Sequence, residues 1–221
     1  MANFETVEVS TDLLIIGGGM SACGVAVEAA YWAKKHNLKV TMVDKAAVDR
    51  SGAVAMGLSA INQYVDLKSG NNTVQDYVEY VRNDLMGVTR EDLVANIARH
   101  VDGSVHLFEK WGLPIWKDEE GNYVREGRWQ LMIKGESYKV IVGEAAKNAI
   151  GMDNIYERVF IVDPLLDGDR ISGAVGFSTR ENKFYIFKAK AVYIGAGGAV
   201  HVFKPRSTGE GLGRAWYPPW N

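Results

Sequence analysis

The chain has 221 residues, 47% of them apolar and 24% charged, which suits a soluble globular fold and excludes a disordered tail, a collagen-like fibre or a coiled coil. Its 25 basic and 27 acidic side chains leave a formal charge of −2 with no basic run, so nothing electrostatic favours nucleic acid or an anionic membrane as a partner. The lone cysteine, Cys23, can neither close a disulfide nor hold a zinc or iron–sulfur site by itself, so any such cluster must sit on a partner.

The first residues lack a positive segment followed by an apolar stretch, so no signal peptide is expected. The longest uncharged runs, Leu13–Val27 and Ser51–Val65, are 15 residues each and are broken by glycine and polar residues, so neither reads as a membrane span. A reducing, cytoplasmic compartment is the expectation.

In chain order, Leu13-Leu14-Ile15-Ile16 reads as a strand buried on both faces of a parallel sheet. A helix follows from Met20 with Val25, Ala26, Ala29, Ala30 and Ala33 on its packed face, ending near His36-Asn37 with Asn as a left-handed cap. Lys39–Val43 is then a second strand, closed by Asp44, and completes a βαβ unit. Lys45–Asn62 is rich in Gly, Ala and Ser and reads as a ligand-approaching loop and a short helix. Thr73 with Asp76 opens a helix through a capping box, and Thr89 with Asp92 repeats the signal for a second helix that Gly112 and Pro114 end. Residues 115–135 form a polar excursion, and Glu136–Ile150 is a further helix. The period then changes. Asn154–Val162, Arg170–Thr179 and Lys183–Lys188 read as strands, the first two joined at Asp167-Gly168, and Ala191–Ile194 is one more apolar strand. The apolar, Trp-rich ending at Trp220-Asn221 is expected to be a cut in a longer chain.

Gly17-Gly18-Gly19-Met20-Ser21-Ala22 fits the G-x-G-x-x-A pattern after a strand and at the start of a helix, with Asp44 22 positions past Ala22 at the end of the next strand. Gly17 permits the tight turn, Gly19 lets backbone approach a pyrophosphate, and small Ala22 lets helix and strand pack closely. The helix N-terminus offers N–H groups and partial positive charge to phosphates, and Asp44 can accept from ribose hydroxyls. FAD is favoured over NAD because the motif opens the chain and the second half is antiparallel.

Three stretches resemble the fumarate reductase/succinate dehydrogenase flavoprotein superfamily: Gly17–Ala22 with Asp44 and Lys45; Arg50–Gly57, similar to the loop that lies over the flavin, with Ser51, Gly52 and Ala53 against the cofactor; and Ile194–Gly198 with Ser207–Gly211, which offer Ala196, Gly197, Gly198, Thr208, Gly209 and Glu210. The resemblance implies a C-terminally truncated α/β fold, a Rossmann-like FAD-binding domain of parallel sheet and helices plus an antiparallel β-meander. Its capping and helical domains would lie outside residues 1–221. Gly52 stands where respiratory members carry a flavin-linking histidine, which implies non-covalent FAD.

The wording of Ser51–Asn62, Arg125–Tyr138 and Gly213–Tyr217 resembles the adenylylsulfate reductase branch. That branch implies interconversion of adenylylsulfate with AMP and sulfite through a flavin N5–sulfite adduct, and electron exchange with a ferredoxin-like beta subunit that carries [4Fe–4S] clusters. Asn62 matches its flavin-side asparagine and Trp216 its pocket tryptophan, with Trp220 as the competing alignment. A fumarate reductase, an L-aspartate oxidase or an inactive FAD-binding fragment is the alternative. No metal site is expected on this chain. Cys23 reads as core, His36 and His100 as solvated, and His201 as a neighbour of the cofactor. Arg125, Glu126, Arg128 and Lys134 read as a solvated face that the resemblance turns toward a pocket or interface, and Trp111, Trp116 and Trp129 as part of a partner surface.

Overall fold

The computed structural model describes residues 4–198. The chain divides into two compact units, one formed by the residues up to Met56 and from Lys139 onward, the other by Gly57–Tyr138. The expected polar excursion at 115–135 is therefore part of a longer inserted unit.

The first unit is built on a six-stranded sheet ordered β6-β2-β1-β9-β8-β7. Its elements are β1 (Glu5–Ile16), α1 (Met20–His36), β2 (Val40–Asp44), α4 (Tyr138–Ile150, all but its first residue), β6 (Ile155–Glu157), β7 (Val159–Asp167), β8 (Arg170–Ser178) and β9 (Lys183–Ile194). β1 runs parallel to β2 on one side and to β9 on the other, and β6 runs parallel to β2. β7, β8 and β9 form the antiparallel meander. The parallel strands thus end together at Ile16, Asp44 and Ile194, the edge at which open α/β sheets bind ligands.

Three strand boundaries differ from expectation. β1 starts at Glu5, not Leu13, because Val7, Val9 and Thr11 turn inward and Thr6, Glu8 and Ser10 outward, a half-buried alternation ahead of the fully apolar run. β9 is one strand of 12 residues instead of two, since Lys188 and Lys190 face out where the chain continues in register with β1. The strand expected over Asn154–Val162 is two. Arg158 takes a left-handed backbone (φ 61°), and there the chain leaves its parallel pairing with β2 for antiparallel pairing with β8. The core joins Leu14, Ile16, Val43, Val159, Ile161, Ala174 and Phe187. Phe187 stacks on Tyr185 and meets Tyr156 edge-on.

The second unit holds β3 (Ala60–Ile61), α2 (Val74–Asp84), α3 (Glu91–Lys110), β4 (Arg125–Glu126) and β5 (Gln130–Met132), with the strands ordered β3-β5-β4 and antiparallel. The capping box at Thr73 and Asp76 is present. The one expected at Thr89 is not. Arg90 is the N-cap, with no side-chain cap bond, and Asp92 is held by the Arg90 guanidinium at 2.6 and 2.9 Å. Val65, Tyr77, Ala98 and Trp129 form the core. Trp129 is therefore a core residue, not part of a partner surface, whereas Trp116 is exposed. Arg125 is turned inward, reaching Asp66 and the Tyr64 carbonyl, whereas Arg128 stays exposed, as read from the sequence, while reaching Asn72 and Asp76. Among the described residues no helix is long and apolar enough to cross a membrane.

Candidate functional site

A cavity of about 460 Å³ opens at the shared C-terminal edge of β1, β2 and β9. Four loops line it, Gly17–Ser21, Asp44–Lys45, Ser51–Val54 and Gly195–Gly198, together with the apolar strand residues Ile16, Val43, Val159, Phe160, Ile161 and Ile194. The sequence-predicted residues Gly17, Gly18, Gly19, Met20, Ser21, Asp44, Lys45, Ser51, Gly52, Ala53, Ala196, Gly197 and Gly198 therefore come together here. Ala22 is fully buried beneath the loop, and a Cβ on Gly195 would lie 3.0 Å from its own Cβ.

The first glycine loop is fixed by its neighbours. The Gly17 N–H donates to the Val43 carbonyl at 2.8 Å, and the Gly195 N–H to the Ile16 carbonyl at 2.7 Å. Gly17 sits at φ +112°, and a Cβ there would lie 2.4 Å from the Gly195 carbonyl oxygen, so only glycine fits. A Cβ on Gly52, at φ +84°, would lie 2.8 Å from the Gly19 Cα. Glycine thus keeps this cradle open for something other than side chains. Helix α1 has Gly19 as its N-cap, with no side-chain cap bond and no acidic residue in its first turn, so its N-terminal field faces the cavity unopposed by a carboxylate of its own. Ser21 Oγ hydrogen-bonds Tyr193 Oη at 2.5 Å, across from the second glycine loop.

Asp44 is 6% exposed. Burial pushes its carboxyl above the usual range; bonds from the Ser51 hydroxyl and from the Ala46 and Gly18 N–H groups, with the Lys45 charge, pull the other way without cancelling it. This carboxylate ties the two loops together and remains an acceptor at the cavity wall. A backbone cradle at a helix N-terminus beside an acceptor can take a diphosphate and a ribose, and the donor set fits a dinucleotide cofactor.

The FAD binding domain family matches residues 12–216. The chain belongs to that family. It is 57% identical, over 97% of its own length, to the adenylylsulfate reductase alpha subunit of Megalodesulfovibrio gigas, but spans only 35% of that relative. Against the solved adenylylsulfate reductase of Archaeoglobus fulgidus the identity is 65% and the TM-score 0.86, covering 97% of this chain and 34% of that one. A solved adenosine-5-phosphosulfate reductase in complex with sulfite, as a covalent adduct, gives 64% and 0.86, with 98% and 35% covered.

Other predicted positions of this FAD-binding domain fall elsewhere. Asn62 is exposed and directly follows β3 in the second unit. Thr208, Gly209, Glu210, Trp216 and the alternatives His201 and Trp220 lie outside the described residues. Cys23 is fully buried, its Sγ donating to the Gly18 carbonyl at 3.4 Å, in keeping with its reading as core. His36 stacks on Trp32, and His106 Nδ1 hydrogen-bonds Tyr123 Oη at 3.1 Å. Among the described residues no group of three or more His, Cys, Asp or Glu is placed to hold a metal.

One residue escaped the sequence reading. Lys139, at the start of α4, is 2% exposed and lies behind the glycine loop. Its signal is a lone lysine in an otherwise apolar first stretch of the helix, Tyr138-Lys139-Val140-Ile141-Val142.

Proposed function

We propose that this chain is the flavin-binding third of an adenylylsulfate reductase alpha subunit, an oxidoreductase that interconverts adenylylsulfate with AMP and sulfite. One observation carries the reading: identity near two thirds with two adenylylsulfate reductase structures, over nearly all of this chain. In the cofactor site, Gly17–Gly19 and the α1 N-terminus (Met20, Ser21, with Ala22 beneath) receive the pyrophosphate, and Asp44 accepts from the ribose. Lys45, Ser51, Gly52, Ala53, Ala196, Gly197 and Gly198 line the remaining wall, with Thr208, Gly209 and Glu210 completing the site. Asn62 and Trp216 serve the substrate side.

The FAD is non-covalent. Gly52 has no nucleophile, and its crowding against Gly19 supports an obligatory glycine at that position. When bound, the flavin supplies the two-electron exchange with sulfite, through an adduct at N5. The glycine loop and the start of α1 place fixed N–H donors where phosphate charge accumulates. Electrons are exchanged with a ferredoxin-like beta subunit with [4Fe–4S] clusters, in the cytoplasm.

The test uses the full-length protein purified with its partner subunit. Acid precipitation should leave the FAD in the supernatant, and sulfite should bleach the flavin's long-wavelength absorbance. Flavin retained in the pellet would overturn the non-covalent assignment. A flavin spectrum indifferent to sulfite would count against the substrate.

A further inference from the structure

Lys139 presents a cost that the fold alone does not repay. Its ammonium is buried, it stands at the N-terminal end of α4 where the helix field disfavours a cation, and among the described residues it makes no ion pair. It donates instead to two neutral acceptors, the Val48 carbonyl and, at 3.7 Å, Cys23 Sγ. Space for it is provided one turn along the helix. A Cβ on Gly143 would lie 3.4 Å from the Lys139 Nζ and 3.2 Å from the Asp49 Cα.

Both acceptors lead to the cavity wall. Cys23 passes the contact on, its Sγ–H donating to the Gly18 carbonyl at 3.4 Å. Val48 opens the turn that delivers Ser51 and Gly52 to the cavity, and the turn is gripped on both sides of its first residue, at the N–H and at the carbonyl. Glu157 Oε1 accepts the Val48 N–H at 2.7 Å, and Lys139 holds the Val48 carbonyl. Asp44, the acid in the cavity lining, already accepts from Ser51, Ala46 and Gly18.

We infer that Lys139 is a positioning residue for the cofactor: it pins the Val48–Ser51 turn and the Gly17–Gly19 loop from behind, and its buried charge is the fixed cation that offsets the dinucleotide's diphosphate in front of that loop. The inference rests on the FAD reading of the cavity. The opposition of two signs identifies it. A lysine kept only for packing would stabilise the protein with and without cofactor. A buried cation that awaits an anion lowers the stability of the apoprotein and raises that of the complex.

The test is made in the full-length holoenzyme, stripped of flavin and titrated with FAD, using Lys139→Met, Lys139→Gln and Lys139→Arg. Met and Gln should weaken FAD binding by ~10-fold or more, the order expected of one buried charge acting at an effective dielectric near 20. The melting temperature of their apoproteins should be equal to or above that of wild type, and Arg should restore FAD affinity. If Met yields no soluble protein, Gln decides, because it keeps a donor and drops the charge. Wild-type affinity in Gln, or an apoprotein melting temperature that falls together with FAD affinity and is not rescued by Arg, would overturn the inference. Wild-type protein that takes up no FAD would overturn the reading of the cavity itself.

Discussion

A Cβ placed on Gly52 would come within 2.8 Å of the Cα of Gly19, so the turn after β2 and the loop before α1 meet backbone against backbone. Gly52 also stands at φ +84°, where a side chain is strained wherever it points. Gly52→Ala should therefore cost ~1–3 kcal/mol of conformational strain and open the cradle, weakening FAD binding by roughly 10-fold or more. Flavin retention on desalting measures this. Gly52→His should give no covalently bound flavin, because the backbone cannot hold the ring at this spacing. Flavin fluorescence co-migrating with the denatured Gly52→His chain would contradict that.

Asp44 makes a pH prediction with a definite sign. Burial holds its carboxyl above the ordinary 3.8, so the folded apoprotein binds this proton more tightly than the unfolded chain. Stability contributed by Asp44 is thus present at acid pH and declines as pH rises from 3.8 through the raised value, then stays level. Asp44→Asn should remove that declining limb from urea unfolding midpoints measured across pH, and parallel curves for the two proteins would contradict it. The same variant should bind FAD more weakly by ~1.5–3 kcal/mol, roughly 10- to 100-fold, the range for a hydrogen bond to a charged group.

The Cys23 thiol is buried, and desolvation pushes it up despite the opposing charge of Lys139. It should resist iodoacetamide in the native protein at mildly alkaline pH and react once the chain is unfolded. Rapid labelling of native protein would contradict the packing around the glycine loop.

In the second unit Trp129 is 6% exposed, meets Tyr77 edge-on at 5.1 Å, and carries the Arg128 guanidinium over its ring at 4.7 Å. Trp129→Ala should cost ~3–5 kcal/mol, as for a large aromatic removed from a core. Chemical denaturation monitored by circular dichroism reads this directly, and a change below ~1 kcal/mol would place the ring outside the core.

Much of this was legible in the chain. The βαβ unit, the left-handed Asn37 that ends α1, the capping box at Thr73 and the two glycine loops follow from local chemistry, and the cavity gathers the residues those motifs named. What was misread depended on distant pairing. The strand read from Leu13 starts at Glu5 because Lys183–Ala189 lies beside its first half, and the break at Arg158 shows only when β2 and β8 compete for the same segment. Asp92 matches the capping pattern, but the neighbouring Arg90 guanidinium takes its carboxylate first. Lys139 was missed because its acceptor, Val48, lies 91 residues away in the chain.

The most direct measurement is the rate of sulfite oxidation by an artificial electron acceptor, with and without AMP, in the full-length protein co-expressed with the iron–sulfur subunit that the proposed function calls for. An adenylylsulfate reductase requires AMP for that rate and gives none with fumarate or L-aspartate. A flavin-loaded enzyme whose sulfite oxidation ignores AMP, or which reduces fumarate instead, would contradict the proposed function and leave only the FAD-binding fold.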